Sequence, residues 1–133
     1  MKLLLDNNLS PKLARALHAL SQPEHEVHHL RDLFDPKTPD EEWLQQLGAE
    51  GGWVIVSGDL RISRNKDELN AWFESGMTAF FLDRGWAHLG FWEKTARLVQ
   101  WWPRILEVLE SVGSQVGYFV PVRGSKLKIL RTK

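Results

Sequence analysis

The sequence predicts an α/β fold: a three-layer α/β/α sandwich on a mainly parallel sheet, with a C-terminal hairpin. Two observations carry this. Leu3-Leu4-Leu5, Val54-Ile55-Val56 and the stretch 77–82 are nearly continuous apolar runs, as strands buried on both faces are. Helical patterns with start and stop signals alternate with those runs, which favours crossover connections and helices on both faces of one sheet.

The elements follow in order. Lys2–Leu5 reads as a buried strand. Ser10-Pro11 starts a helix, with serine as N-cap and proline at the first helical position, and Leu13, Leu17 and Leu20 share one face. Residues 21–25 read as a turn, 26–30 as a strand and 31–37 as a loop. Thr38-Pro39-Asp40-Glu41 opens a second helix, in which Thr38-x-x-Glu41 spells a capping box, and Gly51-Gly52 ends it near Glu50. Trp53–Ser57 is a central strand and 59–65 a basic loop. A third helix spans 66–75 and stops at Gly76, and a fourth strand spans 77–82. Residues 90–112 form a long amphipathic helix, expected to break or kink at Pro103. Residues 115–122 and 126–130 flank Arg123-Gly124-Ser125 as a hairpin.

The 133 residues suit one domain, 1–133, with the hairpin and basic tail at about 115–133. The absence of cysteine excludes disulfide stapling and thiolate zinc sites, and fits a cytoplasmic setting. No signal peptide is expected, since only three leucines follow Lys2, and no membrane span, since no apolar run nears about 20 residues. The net charge of zero is unevenly divided. Residues 1–60 hold ten acids and five bases, and residues 61–133 hold seven acids and twelve bases. The last eleven residues carry Arg123, Lys126, Lys128, Arg131 and Lys133 without an acid, which suits a phosphate backbone or an acidic partner, or a plain solvated tail.

In a parallel α/β sheet the functional crevice lies at the carboxyl ends of the strands. Asp6, Asp59 and Asp83 each fall there. Carboxylates crowded at one edge call for a metal ion or a shared proton. Each has a structural reading too. Asp6-Asn7-Asn8 is good turn chemistry, Ser57-Gly58-Asp59 is an ordinary strand-to-helix turn, and Asp83-Arg84 is a local ion pair. Asp40 shares the i, i+4, i+7 stripe of Leu44 and Leu47, so it points toward the core side, and Glu41 is rotated about 100° from it. Either is a candidate ligand, and the capping box offers Glu41 a structural role. Ser57 is placed to bond a neighbouring carboxylate or a substrate phosphate.

His28 and His29 lie on a strand, so their rings face opposite ways and cannot serve one metal; a partly exposed edge strand explains them. Most of the seven tryptophans are expected in the core or a partner interface, with Trp86 a lesser candidate for base stacking. No GxGxxG, P-loop, HExxH or GxSxG pattern is present.

The run from Lys2 through Asp6-Asn7-Asn8 to Pro11 resembles the start of PIN-like domains, whose first strand ends in Asp-x-Asn. Asp40-Glu41-Glu42-Trp43-Leu44 resembles their second acidic element, and Trp53–Asp59 their third strand and its acid. The similarity covers about residues 1–110 and is nearest to the VapC-type toxins of bacterial toxin–antitoxin pairs. The resemblance implies a metal-dependent endoribonuclease. Asp6 is then the first ligand, Asp40 or Glu41 the second and Asp59 the third, with Asn8 and Ser57 in support. Where many PIN domains carry a further aspartate two positions after the third acid, this chain has Arg61, and Asp83 is the residue placed to compensate. The implied cofactor is Mg²⁺ or Mn²⁺, and Arg61, Arg64 and Lys66 are the implied phosphate contacts. The implied partners are RNA and a cognate antitoxin, in a homodimer or hetero-oligomer. The competing readings are an RNA- or protein-binding module on the same scaffold, and a different Mg²⁺-dependent enzyme such as a phosphatase.

Overall fold

A computed structural model describes residues 1–59, 65–111 and 115–130. Its centre is a six-stranded sheet in the order β2-β1-β3-β4-β5-β6. β1 (Lys2–Leu5) pairs in parallel with β2 (Glu26–His29) and β3 (Trp53–Ser57), and β3 pairs in parallel with β4 (Thr78–Leu82). β5 (Gly117–Val120) continues the parallel set beside β4, and the two-residue β6 (Lys128–Ile129) runs antiparallel to β5. Leu3, Leu4 and Leu5 are fully buried, because alternate residues of a central strand enter opposite cores.

Those two cores make three layers. On one face, α1 (Pro11–Ser21) and α5 (Phe91–Ser111) cover Leu3, Leu5, Val54, Val56, Phe80 and Leu82. On the other, α3 (Asp40–Glu50) and α4 (Lys66–Ser75) cover Leu4, Ile55, Ala79 and Phe81. No helix among the described residues is long and apolar enough to cross a membrane.

The differences from expectation are local. Residues 30–33 form a short helix, α2, where the last strand residue and the start of a loop were expected. His29 causes it: its Nδ1 accepts from Arg31 N at 3.1 Å, while Nε2 meets the Leu9 carbonyl at 2.7 Å. β2 is the partly exposed edge strand expected, with His28 half-buried, but His29 on its other face is a buried structural residue at 0% exposure. The capping box at Thr38 does not form. Pro39 occupies the N-cap of α3 and contributes no side-chain bond, so the Thr-to-Glu register is one residue out. α5 runs unbroken through Pro103, which lies on the exposed side while Trp101, Trp102 and Ile105 hold the helix on the sheet. The connection between β5 and β6 spans 121–127, longer than the expected three-residue turn.

A parallel sheet puts the start of each crossover helix at the edge where the preceding strand ends. The first turns of α3 and α4 therefore stand beside the ends of β1 and β3.

Candidate metal centre

Asp6 follows β1 directly and is 3% exposed. Its Oδ1 accepts from Asn8 N and from Gly58 N, both at 3.2 Å, and its Oδ2 accepts the Ser57 hydroxyl hydrogen bond. Ser57 Oγ in turn accepts from Asp59 N at 3.0 Å. One buried carboxylate thus ties the end of β1 to the turn that leaves β3. Burial pushes the Asp6 carboxyl up to about 6, against the three hydrogen bonds that favour its charged form, and the nearby Asp59 charge pushes the same way.

Beside this tie, Asp40, Asp59 and Glu68 converge. One carboxylate oxygen from each lies within 4.8 Å of the others, and all three residues are half-buried. Each comes from a different element. Asp59 is presented by the Ser57-Gly58 turn. Asp40 is the first residue of α3, and Trp43 Nε1 donates to its Oδ1 at 3.0 Å. Trp43 is buried, so this bond fixes the carboxylate from the core side. Glu68 lies in the first turn of α4, where the Asn65 side chain caps the amides of Asp67 and Glu68. α3 and α4 are held close by Gly48, where a Cβ would stand 2.5 Å from the Ser75 carbonyl oxygen.

Three carboxylates this near one another repel. Two helix N-termini offset part of that repulsion, each equivalent to about half a positive charge. The all-oxygen, acidic donor set matches a hard divalent cation such as Mg²⁺ or Mn²⁺.

The other expected site residues lie as follows. Glu41 is exposed, lines a groove of about 580 Å³ between α3 and α4, and is not one of the three converging acids. Asp83 caps the 3₁₀ turn 84–88, its Oδ1 accepting from Gly85 N at 3.1 Å, and lies outside the group. Asn8 is exposed and lines a cavity of about 330 Å³ with Gly58 and Lys94. Ser57 is buried between Asp6 and Asp59. Lys66 is exposed at the start of α4. Arg61 and Arg64 lie outside the described residues. Trp86 is buried, at 2% exposure, with Nε1 donating to the Val120 carbonyl at 2.8 Å, so it packs in the core and does not present a stacking face.

Glu68 was not anticipated. Its signal was its position, in the first turn of the helix after the strand that ends in Asp59. Asn65-x-x-Glu68 also reads as a capping pattern, which disguises it.

A family model described as a PIN like domain matches residues 1–84, from β1 to the first residue of the turn after β4. No curated protein and no solved structure matches the chain.

Proposed function

Because this chain belongs to the PIN-like domain family, we propose that it is a divalent-metal-dependent endoribonuclease that hydrolyses RNA phosphodiester bonds. The observation that carries the reading is the convergence of Asp40, Asp59 and Glu68 from three elements at the carboxyl edge of the sheet. These residues would hold Mg²⁺ or Mn²⁺. The bound ion supplies Lewis acidity toward water and phosphate oxygens.

The remaining steps belong to the protein. Asp6 acts from behind the centre. It holds Ser57 and Gly58, and so fixes where Asp59 points. Trp43 does the same for Asp40. Asn8 and Lys66 are exposed beside the centre and would orient the phosphate, together with Arg61 and Arg64. Three acids around one ion also leave a carboxylate within reach of a water's proton, the usual requirement for a general base. The binding-module alternative drew on Arg61 standing where a further acid was expected. Glu68 supplies a carboxylate from α4 and supports the enzyme reading.

We read the biological setting as a toxin–antitoxin pair in the cytoplasm, with an antitoxin partner and a homodimer or hetero-oligomer. That part rests on the resemblance in the sequence alone. Its test is the neighbouring gene: a small helix-turn-helix protein encoded there supports it, and co-expression that fails to silence RNA cleavage refutes it.

The activity itself is tested with single-stranded RNA and Mg²⁺ or Mn²⁺. Asp59→Asn and Glu68→Gln should abolish cleavage, whereas Glu41→Gln and Asp83→Asn should retain it. Full activity of both Asp59→Asn and Glu68→Gln in the presence of metal would sink the proposal.

A further inference from the structure

Two cavities lie on the α5 side of the same sheet edge. The first, about 330 Å³, is lined by Asn8, Gly58 and Lys94 among others. Gly58 immediately precedes Asp59, so this cavity shares a wall with the turn that presents the acid. The second, about 370 Å³, is lined by Arg97, Arg104, Arg123, Gln100, Trp101 and Ser125 among others. Arg123 follows the end of β5, which places it at the carboxyl edge as well. None of the residues lining this second cavity is acidic.

The cavities are joined by the phase of one helix. Lys94, Arg97, Trp101 and Arg104 are spaced i, i+3, i+7, i+10 and so form one stripe on α5. At 1.5 Å per residue, Lys94 and Arg104 are about 15 Å apart along the axis. Arg97 is also fixed in place, its guanidinium donating to the Val122 carbonyl at 3.0 Å. Two acids flank the stripe: Glu93 lies 4.0 Å from Arg97, and Glu107 pairs with Arg104. Both are well exposed, at 58% and 68%, so they screen the arginines weakly and can turn away to solvent.

We propose that the two cavities form one phosphate track for single-stranded RNA, leading from the acid group over α5 to Arg104 and Arg123. This rests on the nuclease reading, because it states how the strand is carried to that centre. All of the second cavity lies beyond residue 84, where the family match ends, so the track belongs to this chain's C-terminal part. The strand's phosphates lie along the arginine stripe, and the acid group meets the scissile bond at the near end. Continuity with Gly58 favours RNA over the acidic segment of a protein partner, which would have no reason to reach the acid group.

The test uses the full chain and the double variant Arg104→Gln/Arg123→Gln, both exposed positions. Arg31→Gln/Lys37→Gln removes equal charge next to β2, at the other end of the strand order from β5 and β6, as a control. Binding is measured with chelator present, for a dinucleotide and for a strand of about ten nucleotides. The track variant should bind the long strand several-fold more weakly and the dinucleotide unchanged. Its salt dependence should fall by about 0.7 in slope for each phosphate that the variant no longer neutralises. Equal losses in track and control variants, or equal losses for short and long RNA, overturn the track. So does unchanged RNA binding with lost binding of a polyglutamate peptide, which would assign the surface to an acidic protein. Metal-dependent cleavage by the wild type is scored separately. If it persists while the track variant behaves as wild type, the track alone fails. If the wild type neither binds nor cleaves RNA, the nuclease reading fails and the track with it.

Discussion

Replacing Asp6 with asparagine should make the metal-free protein more stable at neutral pH while leaving it nearly unchanged near pH 4. The carboxyl is 3% exposed, and its pKa is raised from 3.8 to about 6, first by burial. For an acid, a raised folded pKa means that the folded state holds the proton more tightly than the unfolded chain. The contribution is fully present below about 3.8 and is lost as pH rises through about 6. At about 1.4 kcal/mol per pH unit, the loss approaches about 3 kcal/mol. That is a large share of a typical domain stability of about 5–15 kcal/mol.

Asparagine mimics the protonated acid at constant volume. Its Oδ1 keeps the bonds from Asn8 N and Gly58 N, and its amide meets Ser57 Oγ, whose hydroxyl can then turn to the Asp59 carbonyl at 3.5 Å. The assay is urea unfolding of both proteins from pH 4 to 7.5 with chelator present. The variant-minus-wild-type difference should climb by about 2–2.5 kcal/mol across that window, or about 1–2 M in midpoint. A difference that stays flat with pH would refute the assignment of Asp6 as the buried titrating tie.

Three further outcomes follow from the same geometry. Gly48→Ala gains up to about 1 kcal/mol of helix propensity but drives a Cβ against the Ser75 carbonyl oxygen at 2.5 Å, so chemical denaturation should show a net loss of about 1–2 kcal/mol and calorimetry weaker Mn²⁺ binding as α3 and α4 separate. Trp43→Phe removes the donor that holds Asp40 Oδ1, and should lower Mn²⁺ affinity in calorimetry about 10-fold while melting as a cooperative fold; unchanged affinity would show that Asp40 needs no orienting bond. Mg²⁺ at about 100 times its dissociation constant should stabilise the wild type by about 2.7 kcal/mol in thermal melts and leave Glu68→Gln nearly unmoved.

The sheet was legible because its strands are buried on both faces. A run such as Val54-Ile55-Val56 has few alternatives, and an acid follows each such run within three residues. The structure places Asp6 and Asp59 at strand ends for that reason. The division of labour between them was not legible. Both aspartates follow central strands, but Asp6 comes directly after β1 and is buried under the Ser57-Gly58 turn, whereas Asp59 stands two residues beyond the end of β3 and projects past that turn.

Local pattern also misled in a consistent way. Thr38-x-x-Glu41 and Asn65-x-x-Glu68 spell the same capping signature, yet neither glutamate is explained by it alone. In the first, Pro39 takes the N-cap and leaves Glu41 facing solvent. In the second, the cap forms and still delivers Glu68 to within 4.8 Å of Asp40 and Asp59. What separates the two is rotation about the helix: in α3 it is Asp40 that faces the acid group and Glu41, about 100° round, faces solvent, whereas in α4 Glu68 faces it. A helix-start acid after a central parallel strand is therefore a site candidate even when capping already accounts for it, because the crossover brings every such first turn to the edge where the strand acids already stand.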